Sequence, residues 1–332
     1  MTREAFQFSR RATLLGLGGF AAGLASLGWP GLSLAQSDRP IRFILPVATG
    51  SGVDTITRAS SHAISVALGH PMVIENQPGA GGVVGTAMLV KAPADGYTLS
   101  VVSNNHVIYP SVLKSVPFDP INDITPITVI GTTPLVLVVN PKVPANNSKE
   151  LIALLKAKPD GYNYASSGNG TILHLATAMY LDEAGVNAKH IPYKGVGPMV
   201  TDLIGGQCDF GVLALPSVQA HIKSGALRAI GTAAAQRLPA APEIATFVEQ
   251  GLPNYVMEGW FAVVGPKGLA AADVKRIHDA FARAFATAEV KDAMARQGNT
   301  ISISTPEAAA AFFKSELVKY AGLVKKAGVE PQ

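Results

Sequence analysis

The chain has 332 residues, a length typical of two domains of about 150 residues each. Charged residues make up 15% of the chain, against a usual figure of about 25%, and hydrophobic residues make up 48%, so a large core can form and global disorder is excluded. The net charge of +4, without clustering, does not indicate nucleic-acid binding, and the single cysteine, Cys208, excludes an intramolecular disulfide and a multi-cysteine zinc site.

The first 35 residues have the layout of an export signal. Arg10 and Arg11 precede an uncharged run over residues 12–37, and Ser33-Leu34-Ala35 resembles a cleavage site. The adjacent arginines indicate the twin-arginine type. The run is also long enough to span a membrane, but its Gly and Ala content and the Trp29-Pro30 interruption favour a cleaved signal. We therefore predict a signal peptide over 1–35, cleaved near Ala35, and a periplasmic mature protein.

Strand patterns alternate with helix patterns along the rest of the chain, which predicts an α/β fold with a mostly parallel sheet. The predicted strands cover 41–47, 72–76, 97–103, 134–140, 162–165, 209–215, 226–232 and 260–265. The predicted helices cover 54–68, 85–91, 148–158 with Ser148 as N-cap, 171–184, 200–205, 271–297 and 306–327. The order of strand, small-residue loop and helix occurs both from residue 41 and from residue 162, so two similar lobes are expected.

Signatures of common enzymes are missing from the sequence. It contains no G-x-S-x-G elbow, no P-loop and no H-E-x-x-H motif. The glycines of 79–85 do not match a dinucleotide-binding motif, because Val84 occupies the position of its last glycine. No two histidines have i,i+4 spacing, and neither a metal nor a cofactor is expected. A hydrolase that pairs Ser166 or Ser167 with His174 stays open as an alternative.

Two loops of small residues, each followed by a helix, are the candidate binding elements. They cover residues 48–54 and 166–171. A helix N-terminus offers unpaired N–H groups and about half a positive charge, and glycine lets an anion approach the backbone. Ser, Thr and Asn add polar donors, so two such loops could hold a carboxylate without an arginine. The alternative is that both loops are ordinary tight turns.

Seven ordered motifs carry a resemblance to a known family: residues 39–44, 50–54, 74–82, 94–99, 164–171, 190–195 and 202–207. With them the chain resembles the periplasmic solute receptors of tripartite tricarboxylate transporters, also called Bug receptors. The motifs are spread over essentially the whole chain after the signal. Loop 48–54 departs from the family pattern, because Thr49 and Ser51 stand where the family usually has Pro and Gly.

The resemblance implies a two-lobed periplasmic binding protein fold of type II, with the ligand cleft between the lobes. Lobe 1 would comprise residues 36–136 and 257–332, and lobe 2 residues 137–256. It implies a monomeric receptor rather than an enzyme, which captures a di- or tricarboxylate, an acidic amino acid or an aromatic acid. Its transient partners would be integral membrane transporter subunits, with no nucleic acid involved. A receptor that feeds a sensor stays open, and the sequence does not name the ligand.

Loop chemistry and the resemblance together predict a set of ligand-binding residues from the two loops, Gly81 and the turn after the third strand. The set is Ala48, Thr49, Gly50, Ser51, Asp54, Gly81, Ser103, Asn104, Asn105, Ser166, Ser167, Gly168, Asn169, Gly170 and Thr171. Asp54 has two interpretations, as an acid that stabilises the start of its helix or as a partner for a ligand ammonium group. Lys194 is interpreted as a solvated loop lysine, and Trp260 as a residue of the hinge or core.

Overall fold

The computed structural model of the chain describes residues 39–159 and 161–331, so the predicted signal peptide lies outside the described residues. Within them the strands are β1 (Ile41–Leu45), β2 (Met72–Asn76), β3 (Thr98–Ser103), β4 (Ile124–Val139), β5 (Asn163–Ser166), β6 (Lys189–Pro192), β7 (Phe210–Ala214), β8 (Arg228–Thr232), β9 (Glu258–Pro266) and β10 (Thr300–Ile301). The helices are α1 (Gly52–Leu68), α2 (Val83–Val90), α3 (Asn105–Val112), α4 (Ser148–Ala157), α5 (Ile172–Ala184), α6 (Val196–Gly205), α7 (Leu215–Lys223), α8 (Ala271–Ala286), α9 (Ala288–Arg296) and α10 (Pro306–Lys326). A 3-10 turn at Ala80–Gly82 precedes α2.

The sheet contains two groups of three parallel strands, and the strands have the same order in both groups. β1 lies between β2 and β3 and is parallel to both, and β5 lies between β6 and β7 and is parallel to both. Between the two units run β9, antiparallel to β3, and β4, antiparallel to β9 and β7. The predicted α/β fold with two similar lobes is confirmed. We call the half with β1, β2 and β3 lobe 1, and the half with β5, β6 and β7 lobe 2.

One long strand joins the lobes. β4 pairs with β9 from Ile124 to Pro134, and then with β7 and β8 from Leu135 to Val139. The sequence predicted only the second part of this strand, because Pro126 and Pro134 argue against a continuous strand. The register shifts beside Pro126, and this irregularity accommodates the proline within the ladder. β4 is therefore a structural link between the lobes.

Apolar side chains pack around the parallel strands of both lobes, and one cluster of buried residues extends from lobe 2 to Ile44 and Val102 of lobe 1. In lobe 1, Phe43 of β1 packs with Phe281 of α8, and both are fully buried. In lobe 2, Phe210 of β7 packs on Tyr164 of β5. These strands are buried on both faces of the sheet. Their burial explains the runs of β-branched and aliphatic residues in the sequence.

Two predicted helix features are wrong, and two helices were missed. The single helix over 271–297 is two helices, because Thr287 is extended, with φ −67° and ψ 147°, and its hydroxyl accepts the N–H of Val290. The N-cap of α4 is Asn147 rather than Ser148, since the Asn147 side chain accepts the N–H of Glu150. Helix α3, with Pro110 inside it, and helix α7, with Pro216 in its first turn, were not predicted.

Candidate functional site

The loops that follow β1, β2, β5 and β6 converge on one cleft between the lobes, with a volume of about 660 Å³. We call them loop A (46–51), loop B (77–82), loop C (167–171) and loop D (192–195). All four leave the carboxyl ends of parallel strands, the edge at which open α/β sheets place their ligands. Asn105 at the start of α3 and Leu113 just after its end also line the cleft. The fold therefore brings together both loops that the sequence singled out, and adds loops B and D.

Loop A contributes Pro46, Val47, Ala48 and Ser51 to the wall of the cleft. Ser51 is the N-cap of α1, and its hydroxyl accepts the N–H of Asp54 at 3.2 Å. The N-cap residue of α1 thus lies in the cleft wall. Thr49 and Gly50, which the sequence also proposed, do not belong to the lining residues.

Asp54 lies behind loop A, 2% exposed, and outside the cleft lining. One carboxylate oxygen accepts the N–H of Gly50 at 2.9 Å. The other accepts bonds from Arg58 Nε at 2.8 Å and from Asn76 Nδ2 at 2.9 Å. This geometry supports the interpretation of Asp54 as a first-turn acid of α1 that holds loop A in shape.

Loop B presents backbone to the cleft. Four successive residues, Gly79, Ala80, Gly81 and Gly82, have positive φ and all line it. At Gly82 a Cβ would collide with the Tyr109 hydroxyl and would lie 2.6 Å from the carbonyl oxygen of Pro46, so only glycine fits. The sequence proposed Gly81 alone and interpreted the other glycines as a failed nucleotide motif. The signal for a binding loop was the glycine cluster itself.

Loop C contributes four of the predicted residues: Ser167, Gly168, Asn169 and Thr171. Thr171 is the N-cap of α5, and its hydroxyl donates to Gly168 O at 2.8 Å and accepts from Ser167 Oγ at 3.1 Å. The two hydroxyls thus form a polar rim at the start of α5. Gly170 lies outside the lining, where its N–H donates to His174 Nδ1 at 3.0 Å.

Loop C rests on a stack of aromatic rings. His174 and His190 are parallel, with ring centroids 3.9 Å apart, and Tyr164 stacks on His190 at 4.8 Å. Burial lowers the pKa of His174 to about 4, and burial together with the neighbouring His174 lowers the pKa of His190 to about 4. Ser166 Oγ lies 2.6 Å from His190 Nε2 but is fully buried and outside the cleft lining. The Ser166–His190 pair therefore supports the loop from beneath, and His174 is bonded to the backbone instead of to a serine.

Loop D contributes Pro192, Tyr193, Lys194 and Gly195. The Tyr193 hydroxyl turns away from the ligand space, donating to Asp202 Oδ2 at 2.8 Å and contacting Cys208 Sγ at 3.1 Å. Burial and these two acidic neighbours raise the pKa of Tyr193. Sequence reasoning placed loop D outside the site, although its Pro-Tyr-Lys-Gly motif follows β6 as loop B follows β2.

A smaller cavity of about 70 Å³ lies behind the cleft. Ser103 and Asn104, both predicted as ligand residues, line this cavity rather than the cleft, while Asn105 lines both. Asn104 is a structural residue: its Oδ1 accepts the N–H of Trp260 at 2.9 Å, and its Nδ2 donates to Tyr320 Oη at 2.6 Å. Trp260 is itself buried, and its Nε1 donates to Glu316 at 2.8 Å.

The cleft wall has few charged side chains. Among the residues that line it, Lys194 carries the one charged side chain, and no acid is present. Two capped helices, α1 and α5, begin at its wall and add partial positive charge. Within the described part of the chain, no group of three or more His, Cys, Asp or Glu could hold a metal ion, and no helix is long and apolar enough to cross a membrane.

Two lobes around such a cleft define a two-lobed solute-binding protein. The chain belongs to the tripartite tricarboxylate transporter family receptors, whose family model matches residues 56–329. It is 34% identical over 319 residues to protein BugT of Bordetella pertussis, covering 96% of this chain and 98% of that one. It is therefore a binding receptor of this family rather than an enzyme.

Solved structures agree in fold. The periplasmic binding protein BugD matches with a TM-score of 0.85 at 30% identity, over 89% of this chain and 99% of that chain. R. palustris Rpa4515, solved with adipate, matches with a TM-score of 0.86 at 26% identity, over the same shares. The two-lobed arrangement thus recurs in relatives that share about a quarter to a third of their residues with this chain.

Proposed function

We propose that the chain is an exported periplasmic receptor that captures a small carboxylate and presents it to the membrane subunits of a tripartite tricarboxylate-type transporter. The observation that carries the proposal is the chemistry of the cleft wall. It combines two helix N-termini, the hydroxyls of Ser51, Ser167 and Thr171, glycine backbone and one lysine, with no acid. Such a wall attracts an anion and repels none.

The ligand class is a di- or tricarboxylate, an acidic amino acid or an aromatic acid. Apolar residues, among them Val47, Ala80 and Leu113, share the cleft wall with the polar groups, so the cleft suits a ligand with an uncharged middle. The adipate in the structure of Rpa4515 has that form and supports the class.

The proposed lobes comprise residues 36–136 with 257–332, and 137–256. This division is supported by β4, which changes partners between Pro134 and Leu135, and by β9, which begins at Glu258. The proposal includes a signal peptide over 1–35 and a monomer that needs no cofactor.

A thermal-shift panel tests this function. The protein without residues 1–35 is heated with mono-, di-, tri- and aromatic carboxylates and acidic amino acids, each beside its neutral amide. At least one carboxylate should raise the melting temperature while its amide does not, since binding to the folded state alone is stabilising. Equal shifts by acid and amide, or no shift by any acid, would contradict a carboxylate receptor.

A further inference from the structure

The two lobes meet beside the cleft along a seam of glycines. A Cβ on Gly52, at the start of α1, would lie 3.0 Å from the Cβ of Ala214 at the end of β7. A Cβ on Gly195 of loop D would lie 2.6 Å from the Cβ of Ala48 in loop A. Real Cβ atoms essentially never approach within 3.0 Å, so a Cβ on Gly195 would clash, and a Cβ on Gly52 would force its neighbour to move by a few tenths of an ångström.

One side chain bridges the same seam. Asn105 Oδ1, in lobe 1, accepts the N–H of Ile172 in lobe 2 at 2.8 Å, and its Nδ2 donates to Gly81 O of loop B at 3.0 Å. Ile172 is the first residue of α5, so its N–H has no partner within the helix. Separation of the lobes would break this bond, which therefore belongs to the closed arrangement.

The backbone that carries Asn105 is anchored within lobe 1. The preceding residue, Asn104, is bonded to Trp260 N and to the Tyr320 hydroxyl, both buried. Asn105 itself is 9% exposed. Asn104 thus anchors the backbone next to the bridge to β9 and α10, while the bond to Gly81 O orients the Asn105 carboxamide toward α5.

From this seam we infer that Gly52 and Asn105 are positioning residues that set how closely, and for how long, the lobes stay shut over the ligand. They act through contact between the lobes, not through a charge on the ligand. The inference rests on the proposed function, because closure matters only to a receptor that traps its ligand.

Gly52→Ala and Asn105→Ala test the inference, with Gly322→Ala as the matched control. Gly52 and Gly322 are both helical and neither has positive φ, but Gly322 has open space around its Cβ position. Alanine favours both helices, so only the substitution at Gly52 inserts a wedge between the lobes. Thermal melts of all three variants verify folding.

Adipate serves as the probe ligand. Gly52→Ala and Asn105→Ala should each weaken adipate binding by about tenfold, through faster dissociation, since the binding-competent closed state becomes less populated. Small-angle scattering with saturating adipate should give a larger radius of gyration than for wild type or Gly322→Ala. Affinities and radii equal to those of the control would overturn the inference.

Amide exchange at Ile172 separates this inference from the proposed function. In Asn105→Ala the Ile172 amide should exchange faster than in wild type, whether or not adipate binds. Unchanged exchange at Ile172 would contradict the bridge. If wild type ignores every carboxylate while Ile172 exchange does accelerate in the variant, the proposed function fails and the bridge between the lobes stands.

Discussion

Side chains that look alike in the sequence have different tasks around the cleft. Ser51 and Thr171 cap helices at its wall, Ser167 faces the ligand space, and Ser166 is buried against His190. The sequence could predict that the small-residue loops matter, because their composition suits anion binding. The sequence could not show which loop residues line the cleft and which support the loop from beneath. The direction of each side chain depends on the twist of the strand end that precedes the loop.

Asp54→Ala should lower the free energy of unfolding by about 2 kcal/mol, because it removes a buried carboxylate that accepts bonds from the Gly50 N–H, Arg58 and the Asn76 amide. Binding of acidic amino acids and of plain dicarboxylates should weaken equally, through loop A. Urea denaturation and calorimetry measure the two effects. Selective loss of amino-acid binding would restore the interpretation of Asp54 as an ammonium partner.

Ser167→Ala should weaken carboxylate binding by about tenfold with little effect on stability, because the Ser167 hydroxyl, which donates to Thr171 Oγ1 in this structure, can turn to donate to a bound carboxylate, a bond of roughly 1.5 kcal/mol. Thr171→Ala should weaken binding too and also cost about 1 kcal/mol of stability, since it removes the cap of α5. Ser315→Ala, on the exposed face of α10, is the control. Unchanged calorimetric affinity in both loop C variants would exclude loop C from the site.

Lys194→Met should reduce affinity for adipate more than for hexanoate, which has the same chain length and one carboxylate fewer. Lys194 is exposed at the cleft and carries the one charge of its lining, so it can attract the second carboxylate. Lys194→Arg should retain the preference. If titration calorimetry shows equal losses of affinity for adipate and hexanoate, Lys194 is a solvated loop residue that does not contact the ligand.

At the scale of helices and strands, hydrophobic periodicity predicted most elements. It did not predict where a helix is divided or where a strand continues, because these depend on individual hydrogen bonds. Thr287 divides one apolar pattern into α8 and α9, because its hydroxyl caps the second helix. β4 continues through Pro126 and Pro134, which periodicity interprets as stops. Tertiary contacts with β9 override the local preference at both prolines.

The histidine stack between β5, α5 and β6 makes a prediction about pH. The pKa of His174 and of His190 is about 4 in the folded protein, below the ordinary value of 6.5. Between these values the unfolded chain binds more protons, so stability should fall as the pH drops from 6.5 to 4. In His190→Phe the fall in melting temperature between pH 7 and pH 5 should be smaller than in wild type.

His62→Gln is the control for this pH series, since His62 is exposed on α1. It should show the same pH profile as wild type. A profile for His190→Phe that matches both would mean that the stack does not contribute to the acid sensitivity.

At the scale of the whole molecule, the repeated order of strand, loop and helix was enough to predict two similar lobes, and family resemblance added the cleft. The meeting of Gly52 with Ala214 and of Asn105 with Ile172 could not be predicted. These pairs are far apart in sequence and depend on the crossing of β4 and β9 between the lobes. The closeness of the lobes is thus a property of the assembled sheet.

Titration calorimetry of the protein without residues 1–35 tests the central claim most directly. The acid that gives the largest thermal shift is titrated beside its amide, into wild type and into Ser167→Ala. We expect one-to-one binding of the acid to wild type, weaker binding to the variant, and no binding of the amide, since the cleft wall is built for an anion. Binding of the amide as tight as that of the acid, or equal affinity in wild type and variant, would contradict the account.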